Sequence, residues 1–285
     1  MRSVKRPERQ TLRELKPNSR QANSSTEAVL SVCKEIWVHR SQISAIFLNQ
    51  WQSLSTGTGL GAFWNYVVPI VPIGTYVLLS TFKILPQFGD LDPIVAISYG
   101  VTVWFLLTGA MQVPISTVAS KRTEALKTSF PLVCSITASF GQLVFDTLVR
   151  FAFCLVAVVF LQVPLSPNSA LVPLLLLPGL LLASSLGLLL SILNAIYADV
   201  SRLVAIAVQY GMFLSGVIFP IKNIPLLESI NTFNPFYYFI KSTRELALTG
   251  KLDTTPSLWG WTLVALLVSP FLIRTFYVME ERIRD

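Results

Sequence analysis

Few residues of this sequence have the types and spacing that could do chemistry. Asp90 and Asp92, in FGDLDP, form the Asp-x-Asp pattern of many sugar-nucleotide enzymes, but a following proline makes the same residues typical of a turn. The glycines of GTGLGAFW (57–64) resemble a phosphate loop, yet no strand precedes them and no Gly-Lys-Ser/Thr follows. Three cysteines and one histidine, His39, show no metal-ligand or nucleophile–base spacing. We therefore predict neither catalytic residues nor a metal site in this chain.

One pair of opposite charges lies inside a hydrophobic stretch. Asp146 and Arg150 are four residues apart, which places them on one face of a helix. An unpaired ionisable side chain at membrane depth costs at least about 2.5 kcal/mol. We therefore expect the two to pair with each other and to face the bundle interior or a pore, either as a structural ion pair or as a contact for a substrate.

The elements that must position these residues are membrane spans. Hydrophobic residues make up 53% of the 285 residues and charged residues 13%, against about 25% charged in soluble domains. Six uncharged or nearly uncharged stretches are long enough, or almost long enough, to cross a bilayer. They are 41–82, 93–120, 128–161 with the charge pair inside, 171–198, 203–221 and 254–273. We predict an all-α membrane protein with six transmembrane helices.

The basic residues follow the predicted topology. Nine lysines and arginines lie in residues 1–40, three lie between spans two and three, and Arg202 lies between spans four and five. By the positive-inside rule, both termini of this multi-pass protein are cytoplasmic. The net charge of +7 therefore reports topology and does not indicate a nucleic-acid partner.

The amino-terminal residues precede the first span and have a different composition. Residues 1–23 are basic and polar, which predicts a mobile cytoplasmic tail in contact with membrane lipids. Ser24 and Glu27 form a capping box, and apolar residues then recur at three- and four-residue steps. This pattern predicts an interfacial amphipathic helix over 24–55, followed by the six-span transmembrane domain over 56–285.

The segment 219–250 lies between spans five and six and is neither a span nor an ordinary loop. Asn234 is a good N-cap, Pro235 suits the first helical position, and Gly250 suits a left-handed helix end. The resulting helix of about fifteen residues is roughly 22 Å long, too short to span a bilayer. We expect it to lie at the membrane surface or to dip in and return. Its apolar side comprises Phe236, Phe239, Ile240, Thr243 and Ala247, and its polar side Lys241, Arg244 and Glu245.

Two further stretches are candidates for contacts. Residues 118–128 predict a short polar helix that is either a solvated connection or a docking element for a cytoplasmic partner; its charged residues are Lys121, Arg122, Glu124 and Lys127. Span five holds the most polar set of any span, including Gln209 and Tyr210, and is the first candidate for lining a pathway.

Five short pieces of sequence, in order along nearly the whole chain, carry a family resemblance. They are Leu60-Gly61-Ala62-Phe63-Trp64 with Pro69, Lys127 with Phe130-Pro131, Tyr197-Ala198-Asp199-Val200, Ile218-Phe219-Pro220-Ile221, and Asn234-Pro235-Phe236 followed by Arg244-Glu245. Their order and spacing resemble the permease subunit of type-2 ABC exporters, in the group that exports O-antigen, capsule and teichoic acid. One departure is the run 49–55, which reads Asn-Gln-Trp-Gln-Ser-Leu-Ser where the family often has a basic, aromatic run.

The resemblance implies a permease domain over 56–285 that forms a homodimer in the bacterial plasma (inner) membrane. It implies two copies of a separate nucleotide-binding ABC subunit, which bind ATP and Mg and dock on Lys121, Arg122, Glu124 and Lys127 and on the interfacial helix. No cofactor is then expected in this chain. It also implies that 219–250 forms outer re-entrant gate helices. The gate residues would be Asn234, Pro235, Phe236, Tyr237, Tyr238, Arg244 and Glu245.

A lipid-linked polysaccharide would need a wide, hydrated conduit with aromatic walls. The channel-lining candidates are Tyr66, Trp104, Asp146, Arg150, Gln209, Tyr210 and Phe213. Each aromatic residue could equally serve bundle packing or an interfacial belt. Two other functions stay open: export of a drug or small lipid by the same fold, and a membrane-embedded enzyme that modifies glycans.

Overall fold

The computed structural model describes residues 20–21, 23–53, 63–84, 88–89, 91–127, 130–221, 224–252 and 256–284, without the side chains of 122–127 and 281–284. Most of these residues are helical. The helices are α1 Ser25–Val38, α2 Arg40–Ser53, α3 Phe63–Thr81, α4 Pro93–Lys127, α5 Leu132–Phe160, α6 Val172–Ile196, α7 Asp199–Leu214, α8 Pro225–Thr232, α9 Pro235–Thr249 and α10 Pro256–Arg284. A 3-10 turn, Pro167–Leu171, precedes α6. The only pairing of strand type among these residues is an isolated bridge between Phe88 and Leu91. The predicted all-α class is confirmed.

Five of the described helices are long and apolar enough to cross a membrane: α3, α4, α5, α6 with its preceding turn, and α10. The predicted fifth span, 203–221, differs. Helix α7 starts earlier and ends at Leu214, and its 16 residues give a length of about 24 Å. A sixth crossing therefore stays a prediction.

The amino-terminal region forms two helices instead of the single helix expected over 24–55. The capping box of Ser24 and Glu27 is present, with Glu27 N–H donating to Ser24 Oγ and Ser24 N–H to the Glu27 carboxylate. Helix α1 ends at Val38, and α2 begins at Arg40. Helix α1 packs against α10 and α5, and α2 packs against α5. Packing on the spans supplies apolar contacts that a purely interfacial position would take from lipid.

Helix α4 is the centre of the bundle. It packs against α3, α5, α6, α7, α9 and α10, so most of its side chains are buried within protein. Its buried hydroxyls donate to carbonyls one turn earlier, as Thr102 does to Ser98 and Thr108 to Trp104. These bonds satisfy hydroxyl donors for which neither the lipid nor the apolar core offers an acceptor.

The expected separate helix over 118–128 is instead the carboxy-terminal end of α4, which continues to Lys127. Its 35 residues reach about 52 Å, well beyond a hydrocarbon core of about 30 Å. One continuous helix, with Pro114 inside it, thus joins the middle of the bundle to the predicted docking element.

Small residues on α6 allow close packing against its neighbours. A Cβ at Gly187 would clash with the Met111 backbone of α4, so glycine is required for this approach of the two helices. Ser185 of α6 shares a 3.0 Å hydrogen bond with Ser269 of α10. These contacts fix α4, α6 and α10 as the frame on which the other helices are held.

Candidate functional site

The part of the molecule that is predicted to face outward is organised around the end of α7. The helix stops at Ser215 because Gly216 has a φ of 65°, in the left-handed region that favours glycine. The hydrophobic run then continues as non-helical backbone through buried Val217 and Ile218. Backbone carbonyls buried there lose their helical partners and need other donors.

Arg244 of α9 supplies those donors. Its guanidinium donates to the carbonyl oxygens of Gly216, at 3.1 Å, and Val217, at 3.4 Å. The side chain also lies over the Phe88 ring, 4.6 Å from its centroid. Arg244 is only 6% exposed, yet it lines one cavity together with Lys241 and Glu245, the other two residues of the predicted polar side. Burial lowers its pKa to about 10, which leaves it protonated at neutral pH.

Two asparagines complete the connection between α7 and α9. Asn231 Nδ2 donates to the Leu214 carbonyl at 2.6 Å, at the open end of α7. Asn234 Nδ2 donates to Ser215 Oγ at 2.8 Å, while its Oδ1 accepts from Phe236 N–H at 3.1 Å. Asn234 is therefore the predicted N-cap of α9 and also a tie to α7.

Helix α9 has the predicted boundaries, with Pro235 in the first turn and Gly250 at a φ of 75°. It packs against α4, α6 and α10, and eight of its residues are buried. Near its start, Phe236 meets the Trp104 ring edge-on at 6.1 Å. Near its end, Asn168 Nδ2 donates to the Gly250 carbonyl at 2.9 Å. The helix thus runs from Trp104, about 17 Å along α4 from Pro93, to the turn before α6.

Two cavities adjoin α9. The larger, of about 530 Å³, lies beside Arg244, and its lining includes Phe88, Tyr237, Lys241 and Glu245. It combines aromatic rings with charges of both signs, which suits a ligand that has both apolar faces and hydroxyl groups.

The smaller cavity, of about 200 Å³, lies between α4, α7 and the start of α9. Its lining includes Trp104, Gly211, Ser215 and Phe236. The larger cavity adjoins the middle of α9 and the smaller cavity adjoins its start, so a displacement of α9 would alter both.

The predicted channel-lining residues fall into two groups. Gln209, Tyr210 and Phe213 lie on an exposed surface of α7, where Met212 is the only buried residue of the helix. Tyr66 on α3 is 49% exposed and packs edge-on against Phe145. Trp104, by contrast, is 4% exposed within the core, where it lines the smaller cavity.

The expected ion pair between Asp146 and Arg150 is not formed, and that prediction is wrong. Arg150 Nε donates to the Pro69 carbonyl of α3 at 3.1 Å, and its guanidinium lies over the Phe105 ring of α4. Asp146 instead accepts a hydrogen bond from Gln142 at 2.8 Å. Arg150 is drawn toward α3 and α4, whereas Asp146 faces a cleft beside α2.

The predicted docking residues lie at the carboxy-terminal end of α4, on the side predicted to be cytoplasmic. Lys121 is half-buried there. The backbone at Arg122, Glu124 and Lys127 is helical, and their side chains lie outside the described residues. The structure therefore places this group on one projecting helix end, and its role stays a prediction.

A buried charge cluster on the same side was missed from the sequence. Glu280 of α10 is 0% exposed; its carboxylate accepts from the Arg20 guanidinium at 2.8 Å and from Leu132 N–H at the start of α5. Arg20 also pairs with Glu35 of α1 at 3.3 Å. Arg20 falls within the predicted tail, 1–23, and is tied to α1 and α10 by these contacts; residues 1–19 lie outside the described part of the chain.

The ionisation state of the cluster follows from its contacts. Burial alone would lower the pKa of Arg20, but the hydrogen bond and charge of Glu280, with the charge of Glu35, raise it. Arg20 is therefore protonated. Within the described part of the chain, no three His, Cys, Asp or Glu side chains are grouped so as to hold a metal ion.

Comparison with known proteins agrees with this arrangement. The family model described as ABC-2 type transporter matches residues 41–248, from α2 to near the end of α9. No curated protein sequence matches the chain. Because the family match covers more than half of the 285 residues, the chain belongs to the ABC-2 type transporter family and is a membrane component of an ABC transporter, the kind that works with a nucleotide-binding subunit.

Proposed function

We propose that this chain is the transmembrane subunit of an ATP-driven exporter that moves a lipid-linked polysaccharide or related glycan outward across a bacterial plasma membrane. Two copies of the chain form the pathway, and two copies of a separate nucleotide-binding subunit bind ATP and Mg. Both termini lie in the cytoplasm. ATP hydrolysis takes place in the partner subunit.

The observation that carries the choice of substrate is the chemistry of the larger cavity. Sugar rings present apolar faces, which stack on aromatic side chains, and hydroxyl edges, which hydrogen-bond to charged groups. Tyr237 and Phe88 provide the rings, and Lys241 and Glu245 provide the charged groups. A drug or small-lipid exporter needs a more uniformly apolar cavity, so this lining favours the glycan.

The exposed surface of α7 supports a homodimer with a shared pathway. In the single chain its apolar and polar residues are exposed together, with Leu203, Ile206 and Phe213 beside Gln209 and Tyr210. Lipid would cover the apolar side chains but would leave the amide of Gln209 without partners. A facing α7 from a second copy, with water between the two helices, satisfies both kinds of residue.

The continuous helix α4 provides a route for coupling. Lys121 and Trp104 are seventeen residues apart on α4, a distance of about 26 Å along one helix axis. Trp104 in turn contacts Phe236 at the start of α9. A push on the cytoplasmic end of α4, where the motor would dock on Lys121, Arg122, Glu124 and Lys127, is thereby transmitted to the gate helix α9.

The test is transport by sealed inverted vesicles that contain this chain and its nucleotide-binding subunit. A labelled lipid-linked glycan should become protected from an added glycosidase, and only when Mg-ATP is supplied. Movement of a fluorescent drug or short-chain lipid, with the glycan left accessible, would favour the alternative exporter. Turnover of the glycan by this chain without the ATPase would instead identify a membrane enzyme.

A matched pair of tyrosine variants tests the cavity. Tyr237→Leu removes a ring from the lining and should lower glycan transport by roughly fivefold, the equivalent of about 1 kcal/mol, at unchanged basal ATPase activity. Tyr197→Leu changes an exposed tyrosine at the end of α6, far along the chain from that cavity, and should transport normally. Equal glycan transport by both variants would mean that this cavity does not support the choice of a glycan as the substrate.

A further inference from the structure

A second polar site lies on the opposite side of the bundle from α9. A cleft of about 480 Å³ opens between α2, α4 and α5, with Ser116 and Ser120 on one wall and Ser139 and Asp146 on another. Ser120 is seven residues before the end of α4, and Ser139 is seven residues after the start of α5. The Ser120 and Ser139 end of the cleft therefore lies near the predicted cytoplasmic surface of the bilayer. Asp146, at the middle of α5, lies seven residues or about 10 Å deeper than Ser139, so a headgroup must enter the cleft to reach it.

The hydroxyl groups of this cleft use their hydrogens within their own helices. Ser116 donates to the Gln112 and Val113 carbonyls, and Ser139 to Ser135. Ser120 Oγ likewise donates to Thr117. A hydroxyl that donates in this way keeps its lone pairs as acceptors, so each serine offers the cleft an acceptor.

The two glutamine side chains that line the cleft also use amide hydrogens in contacts with neighbouring side chains. Gln142 Nε2 donates to Asp146 Oδ1 at 2.8 Å. Because a carboxylate only accepts, this contact fixes the amide orientation and turns Gln142 Oε1 away from Asp146. That oxygen is buried and has no hydrogen-bond partner. On the facing helix α2, Gln50 Nε2 donates to Ser139 Oγ at 3.4 Å.

The cleft thus presents hydrogen-bond acceptors and one negative charge. Among the described residues that line it, Asp146 is the only one with a charge. Arg150 acts on Asp146 electrostatically but donates its hydrogen bond to the Pro69 carbonyl, so it supplies no N–H to the cleft. A carboxylate at this depth is costly without a cation, and a buried amide oxygen is costly without a donor. A primary ammonium group supplies both a positive charge and three N–H donors.

We propose that this cleft binds the ammonium headgroup of an inner-leaflet aminophospholipid, with N–H donors shared between Asp146 and Gln142 Oε1. A choline headgroup has the same charge but no N–H, so it leaves the acceptors unsatisfied. A phosphate alone is repelled by the carboxylate. The site does not depend on which molecule the transporter exports, so it stands or fails separately from the glycan assignment.

The experiment uses the full chain, purified and placed in nanodiscs that contain phosphatidylethanolamine and phosphatidylcholine with identical acyl chains in equal amounts. Native mass spectrometry then counts the lipids retained on the protein. The wild type should retain phosphatidylethanolamine about tenfold over phosphatidylcholine, about 1.4 kcal/mol of preference. Equal retention of the two lipids by the wild type would overturn the proposal.

Variants place the preference in the cleft. Asp146→Asn should abolish the preference, whereas Asp199→Asn, at an exposed carboxylate beside Arg202, should keep it. Ser116→Leu, at an exposed wall position, fills the cleft without altering Asp146 and should also abolish it. An unchanged preference in Ser116→Leu, with a wild-type circular dichroism spectrum, would contradict the assignment even if Asp146→Asn did not fold.

A competition experiment distinguishes binding of a lipid headgroup from binding of a soluble amine. Free ethanolamine at millimolar concentration lacks the phosphate and acyl chains, so it should not displace bound phosphatidylethanolamine. Displacement at that concentration would show that the cleft recognises a soluble amine, and the lipid proposal would then be wrong.

Discussion

The break after α7, on the predicted outer side (the outer break), and the corner around Glu280, on the predicted cytoplasmic side (the cytoplasmic corner), each place an arginine between distant parts of the chain. Arg244 is buried and Arg20 is half-buried. At the outer break, Arg244 donates to two neutral carbonyl oxygens, those of Gly216 and Val217. At the cytoplasmic corner, Arg20 donates to the carboxylates of Glu280 and Glu35. One cation is thus held by dipoles and the other by opposite charges.

The difference decides what each region loses when it is disturbed. Removal of Arg244 leaves neutral carbonyls unsatisfied, and no partner remains as an isolated charge. Removal of Arg20 breaks an ion pair of the Glu280 carboxylate, which is fully buried. The cytoplasmic corner should therefore respond more strongly to a single substitution, and it should be repaired by a second, neutralising one.

The largest expected effect is that of Arg20→Gln. Loss of this ion pair at the buried Glu280 carboxylate should reduce the free energy of unfolding by about 3–5 kcal/mol, the range for a broken buried pair. Adding Glu280→Gln removes the buried negative charge and should recover a large part of that loss. The measurement is SDS-driven unfolding of the four proteins of the double-mutant cycle, followed by circular dichroism.

A simple addition of the two single effects would show that the residues do not act as a pair. As a control, Arg202→Gln breaks an exposed pair with Asp199 and should change stability by well under about 1 kcal/mol.

The second effect concerns Arg244→Met at the outer break. Two buried carbonyls lose their charged donor, which we expect to cost about 2–4 kcal/mol, since each unsatisfied group costs about 1–3 kcal/mol and the removal of a buried charge offsets part of the loss. No second neutral substitution should restore stability here. Limited proteolysis between α7 and α9, together with the same unfolding assay, measures the effect. An Arg244→Met protein with wild-type stability and protection would refute the role given to this side chain.

The two regions also differ in how much of them the sequence reveals. Asn234, Pro235 and Gly250 predict the ends of α9, and Ser24 with Glu27 predicts the start of α1, because caps act over a few residues. The partners of Arg244 lie 27 and 28 residues away, and Glu280 is 260 residues from Arg20. No local pattern reports such contacts.

Two other local patterns, an apolar run and a charge spacing, were similarly ambiguous. The apolar run after Leu214 predicts a continuing span, but Gly216 turns the chain, and buried non-helical backbone is as apolar as a helix. Asp146 and Arg150 have the spacing of an ion pair, yet the Pro69 carbonyl and the Phe105 ring hold Arg150 elsewhere. Spacing gives the face of a helix, and the neighbouring helices decide the partner.

The third effect compares two glycines of α6. A Cβ at Gly187 meets the Met111 backbone, whereas a Cβ at Gly179 meets the side chains of Phe239, at 2.9 Å, and Leu107. Backbone cannot move aside as a ring can, so Gly187→Ala should cost about 1–3 kcal/mol, and Gly179→Ala less. Gly260→Ala, with nothing within 4 Å of the added atom, is the control. Thermal unfolding in one detergent ranks the stability of the three variants. Equal losses of stability at 179 and 187 would show that the backbone of α4 moves aside as easily as the Phe239 side chain of α9.

The smallest expected effect is that of Asn231→Ala on the end of α7. The Leu214 carbonyl loses its 2.6 Å hydrogen bond from Asn231, a loss of about 1 kcal/mol for a neutral bond. Asn234 can still hold Ser215, so α9 should keep its place while the last turn of α7 frays. Hydrogen exchange should therefore quicken at Leu214 and Ser215 and stay unchanged along α9. Faster exchange throughout α9 would mean that a single neutral bond controls the gate helix, and the contrast between Arg244 and its uncharged neighbours would then lose its basis.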